Sequence, residues 1–172
     1  EVTTYSSTTP CYYVSGYAGT NTSEATATAN YSTYGVLYNW NAAMAGEASS
    51  TTNPSGVQGV CPEGWHLPSN AEWTELTDYL GGEDVAGAKL KESGITHWNS
   101  PNTAATNHSG FSALPGGGRY TSFLNLGLYG YWWTSTSYNA SSSWRRAMEY
   151  NSDNVVSSDM GVVLGFSVRC KK

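Results

Sequence analysis

Apolar positions give the clearest signal in the stretch "LPSNAEWTELTDYLGG", which begins at Leu67. Ser69 is a good N-cap residue, and Glu72 follows three positions later, as in a capping box. Trp73, Leu76 and Leu80 then recur at helical spacing, and a pair of glycines follows. The pattern predicts a helix that begins after Ser69 and stops at the glycines, and "DVAGAKLKESG" predicts a second, short helix.

From Tyr129 onward the pattern changes to the two-residue period of β-strands. "YGYWWTST" predicts one strand. "SWRRAMEY" predicts another, with Trp144, Arg146, Met148 and Tyr150 on one face and Arg145, Ala147 and Glu149 on the other. "NSDN" is typical of a turn, "VVSS" continues as a strand, a second turn is predicted at residues 159–161, and "GFSVRC" closes the chain as a strand.

The first part of the chain gives weaker patterns. Residues 1–30 are rich in Thr, Ser, Ala and Tyr without a period, and we expect an N-terminal arm or irregular strands there. "YGVLYNWNAAMAG" predicts a short strand that leads into a helical turn. We therefore divide the chain into an arm at 1–30 and a domain at 31–172.

Composition narrows the classes of partner. The chain has 172 residues, which suits one domain, and a net charge of −5 without a basic stripe, which argues against nucleic acid. No apolar run is long enough to span a bilayer. Charged residues make up 12% and aromatic residues 13%, and Tyr, Trp, Ser, Asn and Gly together are typical of binding surfaces. The chain begins at Glu1 without a signal peptide, so we expect a processed, mature chain.

The three cysteines have no zinc-site spacing with each other or with the histidines. Cys61 and Cys170 have apolar flanks and are far apart, so they are either two buried thiols or a disulfide, and we favour the disulfide. Such a long loop would contribute about 4–5 kcal/mol by the chain-entropy model. Cys11 is left over.

Seven phrases occur in one order: "YGVLYNW", "GVCPEGWHLPSNAEW", "AGAKLKE", "HWNSPN", "ATNHSGFSALPGGGRY", "YGYWWTST" and "GFSVRC". Together, over residues 31–172, they resemble the Fibrobacter succinogenes major paralogous domain, a family of bacterial surface and lipoprotein domains. The resemblance implies an α+β fold of the C-type-lectin-like kind, with two helices and a short twisted antiparallel sheet. It also implies that Cys170 lies near Cys61, and that Cys11 lacks its family partner because Tyr31 stands at that position.

"GWHLPSNAEW" also resembles a phrase of formylglycine-generating enzymes, which share that fold. Those enzymes use a pair of cysteines near their C-terminal region, whereas this chain has only Cys170 there. His66 is expected to be packed and hydrogen-bonded rather than catalytic. "SPN" at 100–102 and "WWTSTSYN" lack the carboxylates of calcium-dependent lectin motifs. We therefore expect a non-enzymatic domain without a cofactor or a metal site.

Relatives of this family carry a large apolar residue at the position of Met148, which implies that Arg145, Ala147 and Glu149 point outward. With the flanking turns these residues form the predicted binding patch for a protein or carbohydrate ligand at a cell surface. The patch comprises Tyr138, Asn139, Ser141, Ser142, Arg145, Ala147, Glu149, Ser152, Asp153, Asn154, Ser157 and Asp159. The alternatives are a merely solvated sheet face, a structural module of a larger surface assembly and, less favoured, a formylglycine-generating-type enzyme.

The same stretch, 138–159, is rich in Tyr, Ser, Asp, Asn and Ala between apolar anchors. It resembles the variable region of proteins that diversity-generating retroelements diversify by mutating adenines. We therefore expect that such a retroelement, in a bacterium or its phage, diversifies this surface.

Overall fold

The sheet that carries most of the predicted patch is antiparallel and has three strands in chain order. A computed structural model describes residues 6–172. The strands are β5 (Tyr129–Ser137), β6 (Ser142–Glu149) and β7 (Val156–Gly161). Two small ribbons pair β1 (Tyr12–Tyr13) with β2 (Leu37–Tyr38) and β3 (Gly118–Arg119) with β4 (Phe123–Leu124). With its helices, the described chain has the predicted α+β class.

The two strongest helix predictions are confirmed as α4 (Asn70–Tyr79) and α5 (Glu83–Leu90). Ser69 Oγ accepts from the backbone N–H of Glu72, and Glu72 accepts in return from the N–H of Ser69, so the capping box forms. Gly82 has φ 98°, a conformation that an L side chain rarely adopts, and this allows α5 to begin directly after α4.

The described part of the first thirty residues contains more regular structure than its composition indicates. It includes α1 (Thr22–Thr26), and the boundary placed at residue 31 falls inside α2 (Ala29–Tyr34). Cys11 is fully buried, and its backbone N–H donates to Asn39 Oδ1 over 2.9 Å. Asn39 also caps α3 (Trp40–Met44), the helical turn predicted after β2. The side chain of Asn39 thus links Cys11, the residue before β1, to the start of α3, 28 positions later in the chain.

Two apolar clusters hold β5 and β6 in place. One joins Trp132 and Met148 to Trp73, Leu90 and Trp98 from α4, α5 and the following loop. The other joins Trp133 to residues of α3, the 57–67 loop and the C-terminal segment: Met44, Val57, Cys61, Leu67 and Phe166. The sheet therefore carries buried residues on both faces, which limits how much of it a ligand can reach.

The predicted disulfide is confirmed. Cys61 and Cys170 are bonded, with Cα atoms 5.8 Å apart and a sequence separation of 109. Beside it, the buried carboxylate of Glu72 accepts from His66 Nε2 at 2.8 Å and from Lys171 Nζ at 3.1 Å, and from the N–H of Ser55 at 3.0 Å. His66 therefore has the packed, hydrogen-bonded place expected of it.

One turn prediction and one strand prediction near the C-terminus need correction. Residues 159–161 do not form a turn, because β7 continues through them and pairs Asp159 with Trp144 and Gly161 with Ser142. "GFSVRC" forms single bridges rather than a regular strand: Phe166 pairs with Tyr38, and Ser167 pairs with Trp132. Backbone pairing to neighbouring strands outweighed the local turn signal of Asp and Gly.

Candidate functional site

One face of the C-terminal sheet carries Arg145, and we name it the Arg145 face. Directly opposed residues in antiparallel strands share a face. Arg145 is opposite Trp133 on β5 and Ser158 on β7, and Ala147 is opposite Tyr131 and Val156. The Arg145 face comprises Tyr129, Tyr131, Trp133, Ser143, Arg145, Ala147, Glu149, Val156, Ser158 and Met160. Its β7 rim is open to solvent, with Val156 42% and Met160 39% exposed.

The predicted alternation along β6 is confirmed, but the outward exposure predicted for Arg145 and Ala147 is wrong. Arg145 is only 9% exposed and Ala147 only 2%. The Arg145 guanidinium lies over the ring of Tyr131, 5.1 Å from its centroid. The ring of Tyr131 on β5 thus covers Arg145, which a solvated strand face would leave exposed. Glu149 is half-buried.

Arg145 has no polar partner among the described residues. Its Nε and Nη1 atoms are buried without a hydrogen bond, and no carboxylate of the described chain forms an ion pair with it. Burial lowers the pKa of Arg145, and the nearby Tyr131 and Tyr129 oppose that effect. Buried charges are normally paired, since an unpaired one loses its hydration without compensation.

The neighbouring arginine behaves differently. Arg146 is fully buried on the opposite face, and its Nη2 donates to Thr74 Oγ1 over 2.8 Å and to the carbonyl of Asn70 over 3.2 Å. Its Nη1 lies 3.9 Å from a carboxylate oxygen of Glu83. Arg146 therefore joins β6 to α4 and α5 through Nη2 and Nη1, although its Nε and Nη1 also lack a hydrogen bond. Arg145, by contrast, contacts only the ring of Tyr131 on β5.

Two tyrosines beside Arg145 are held by neighbours. The rings of Tyr129 and Tyr131 stack at 5.4 Å with an interplanar angle of 6°. Tyr131 also accepts from Asn125 Nδ2 over 2.9 Å, and Tyr129 donates to Glu149. The hydrogen bond to Glu149, with burial, raises the pKa of Tyr129 to about 12. One carboxylate oxygen of Glu149, Oε1, thus accepts from Tyr129.

The β5–β6 turn holds three of the predicted residues, Tyr138, Asn139 and Ser141, and a fourth, Ser142, begins β6. Asn139 Oδ1 accepts from the backbone N–H groups of Ser141 (2.8 Å) and Ser142 (3.0 Å), so Asn139 shapes the turn. Ser142 is buried, in contrast to its predicted exposure. Tyr138 is 57% exposed and stands edge-on to Trp144 at 5.4 Å. Tyr138 is therefore the prominent aromatic side chain of this turn.

The β6–β7 turn, with Ser152, Asp153 and Asn154, packs against α5. The Asp153 carbonyl accepts from the N–H of Ala88 over 3.0 Å. The Ser152 carbonyl accepts from the buried Nζ of Lys91 over 2.6 Å, together with the carbonyls of Glu149 (3.0 Å) and Thr103 (3.1 Å). Burial lowers the pKa of Lys91 to about 8. The backbone of this turn therefore has a structural task.

The predicted residues do not form one patch. The β5–β6 turn and the β6–β7 turn lie at opposite ends of β6, about 25 Å apart for a strand of this length. Ser157 and Asp159 lie opposite Arg146 and Trp144, on the face away from Arg145. The structure thus keeps Arg145, Ala147 and Glu149 together, with the two turns at either end.

A cavity of about 440 Å³ lies beside α4 and the disulfide, away from the predicted patch. Its walls include Trp73, Leu76, Tyr79, Phe111 and Arg169. Arg169 stacks on Phe111 at 4.4 Å. Sequence reasoning missed this cavity, because Phe111 and Arg169 are far apart in the chain and only the fold brings them to α4.

Residues 6–172 contain neither a cluster of metal ligands nor a membrane-spanning helix. No group of three or more His, Cys, Asp or Glu side chains in residues 6–172 is placed to hold a metal ion. None of the helices within that range is long and apolar enough to span a bilayer. Cys170, the one cysteine near the C-terminus, is held in the disulfide.

Comparison with known proteins gives one positive result. The model of the Fibrobacter succinogenes major domain family matches residues 2–172, which includes the segment expected to be an arm. Comparison with curated proteins and with solved structures found no match. Since the family model covers almost the whole chain, the protein belongs to the Fibrobacter succinogenes major domain family.

Proposed function

We propose that this is a non-enzymatic binding or adhesion domain that contacts a protein or a glycan through the Arg145 face and the adjoining β5–β6 turn. The observation that carries this proposal is the buried, unpaired guanidinium of Arg145. The contact with the Tyr131 ring offsets only part of the cost of burying two nitrogens of this group without an acceptor. Proteins often retain a destabilising residue of this kind at a functional site.

We place this domain outside the cytoplasm, at a bacterial surface or in a larger, lipid-anchored surface protein. The disulfide supports this location, since such bonds persist mainly in oxidising compartments. The arrangement of capped helices and a C-terminal antiparallel sheet is compatible with the C-type-lectin-like architecture that the family resemblance implies. A structural module of a surface assembly is the second reading, and a formylglycine-generating-type enzyme is the third.

The test is a binding screen on arrays of glycans and of bacterial and host surface proteins, with and without EDTA. The variants are Arg145→Met, which removes the charge at similar length, and Tyr138→Ala, which removes the exposed ring. Arg169→Met is the matched control, because Arg169 is an arginine at the separate cavity. Binding that Arg145→Met abolishes and Arg169→Met retains supports the proposal. If no ligand depends on Arg145 or Tyr138, the proposal fails and the structural-module reading is favoured.

We also propose that a retroelement diversifies residues 138–159. The support is composition, together with a backbone in which buried residues such as Arg146 and Met148 anchor exposed ones such as Tyr138. Sequencing the genomic neighbourhood tests this: a template copy that differs only at adenines supports it. A template without adenine-specific differences, or no template, refutes it.

A further inference from the structure

The cavity beside α4 has the size and the walls of a site for a small ligand. Its volume of about 440 Å³ lies within the range of about 300–1,000 Å³ that is typical of ligand pockets. Its apolar wall combines the buried Trp73 with Leu76, Tyr79 and Phe111, and the rings of Trp73 and Phe111 lie 5.6 Å apart. Such a wall favours an apolar ring, because the contact removes apolar surface from water and allows aromatic packing.

The carboxylates at the cavity already have partners within the fold. The buried carboxylate of Glu72 accepts from His66 and Lys171. Glu75 accepts from Asn53 Nδ2 over 2.9 Å and lies 3.7 Å from Lys171 Nζ. The charges of Glu72, Glu75 and Lys171 therefore offset one another.

Arg169 is a cation at this cavity that has kept donors for a ligand. It lines the cavity and is exposed to solvent. Its guanidinium lies over the ring of Phe111, 4.4 Å from the centroid, and its Nη2 donates to the Phe111 carbonyl. Within residues 6–172 no carboxylate forms an ion pair with it. Since a guanidinium has five N–H donors, several remain for a group that enters the cavity.

The electrostatics of the cavity favour a ligand with one negative charge. Partial burial lowers the pKa of Arg169, because its charge has lost hydration that a bound anion replaces. Glu72 and Glu75 line the same cavity and the chain has a net charge of −5, so a phosphate dianion or a polyanion is repelled. The two oxygens of a carboxylate also match the planar fork of a guanidinium.

The surroundings favour a small molecule, and not a protein, as the source of that carboxylate. Cores of protein interfaces are depleted in Lys and Glu, whereas Glu75 and Lys171 stand at this cavity with exposed side chains. A protein that covered the cavity would remove water from this pair of charges at a cost. A small molecule enters the cavity and leaves the pair in water.

We infer that this cavity binds a small aromatic acid, with its ring against Trp73 and Phe111 and its carboxylate on Arg169. The ring takes the place of water along the apolar wall, and the carboxylate pairs with a cation that has no carboxylate partner in the described chain. The site shares no residue with the Arg145 face or the β5–β6 turn. The inference therefore goes beyond the proposed function and does not depend on it.

The test is a titration with 3-phenylpropionate, followed by NMR through the indole Nε1–H resonance of Trp73. That resonance is assigned by its loss in Trp73→Phe. The neutral probe of the same shape is 3-phenylpropionamide, 3-phenylpropylamine carries the opposite charge, and acetate carries the charge without the ring. We expect a saturable shift with 3-phenylpropionate, at least tenfold weaker binding of the amide, and no saturable shift with the amine or with acetate.

The variants separate loss of the charge contact from loss of the fold. Arg169→Met should bind 3-phenylpropionate as weakly as the parent binds the amide, and its own binding of the amide should be unchanged. Arg169→Lys keeps the charge without the fork, so its affinity for 3-phenylpropionate should lie between those of the parent and Arg169→Met. Arg145→Met is the matched control and should bind every probe as the parent does.

Several results would overturn the inference. These are equal binding of 3-phenylpropionate and its amide, unchanged binding of 3-phenylpropionate in Arg169→Met, or no saturable shift with any probe up to its solubility limit. Tighter binding of a tripeptide that ends in phenylalanine with a free carboxylate would assign the cavity to the end of a polypeptide and not to a small molecule. Each of these results leaves the proposed function standing, because that function is tested through Arg145 and Tyr138.

Discussion

Replacing Gly87 by Ala should destabilise this protein, although the substitution lies in the middle of a helix. By helix propensity alone, Gly→Ala in a helix interior stabilises by about 1 kcal/mol. Here a Cβ on Gly87 would lie 2.2 Å from the carbonyl oxygen of Asn154, 2.7 Å from its carbonyl carbon and 2.8 Å from the carbonyl oxygen of Asp153. All three atoms are backbone, so no side chain can rotate away.

The size of the stability loss follows from how far α5 and the β6–β7 turn must separate to admit the new Cβ. Van der Waals contact requires α5 and the β6–β7 turn to separate by about 1 Å, and overpacking of this kind typically costs about 1–3 kcal/mol. Separation also weakens the hydrogen bonds from Ala88 N–H to Asp153 (3.0 Å) and from Val155 N–H to Glu83 (2.7 Å). Each such bond contributes about 1 kcal/mol. After subtraction of the propensity gain, we expect a net loss of about 2–3 kcal/mol.

Urea unfolding with the disulfide intact measures this loss as a lower midpoint, and thermal unfolding should show a melting temperature about 5–10 °C lower. Gly161→Ala is the control, because a Cβ there meets only Val163 at 3.7 Å and Ser141 at 4.0 Å. That variant should unfold within about 0.5 kcal/mol of the parent. A Gly87→Ala protein as stable as the parent, or more stable, would refute the packing argument.

Three further predictions concern stability. Reduction of the Cys61–Cys170 disulfide, which has a sequence separation of 109, should lower the free energy of unfolding by about 5 kcal/mol, and equal urea midpoints with and without reductant would contradict this. Burial lowers the pKa of Lys91 from 10.5 to about 8. Between pH 8 and pH 10.5, Lys91 is therefore mostly protonated in the unfolded chain and mostly neutral in the folded one. Stability should therefore rise with pH across that window, and the rise should be absent from Lys91→Met when urea midpoints are compared from pH 7.5 to 9.5. Burial alone would raise the pKa of Glu72, but its hydrogen bonds from His66, Ser69, Lys171 and Ser55 together lower it. The stability that Glu72 contributes is therefore fully present above its unfolded pKa of about 4.3 and is lost as the pH falls through its lower folded pKa. Glu72→Ala should lower the free energy of unfolding by about 3–5 kcal/mol at neutral pH, and the variant should lose less stability on acidification than the parent protein.

The sequence by itself determined the elements whose causes are local. Ser69 and Glu72 cap α4 through groups only three residues apart, and the two-residue period of β6 separates Arg145 from Arg146. Local hydrogen bonds and side-chain periodicity are written in neighbouring residues, so they can be recognised before any fold is known. The family resemblance added the order of these elements.

Only the tertiary structure decided which of the predicted binding residues are accessible, paired or together. The alternation of β6 says that Arg145 and Arg146 face opposite ways, but it does not say that Tyr131 covers Arg145 or that α4 supplies the acceptors for Arg146. Nor does it say that the two turns lie at opposite ends of β6. Burial and hydrogen-bond partners come from segments far away in the chain, and their placement depends on how the whole core packs. The unpaired guanidinium of Arg145, from which the proposed function is argued, is therefore a property of the fold and not of the sequence pattern.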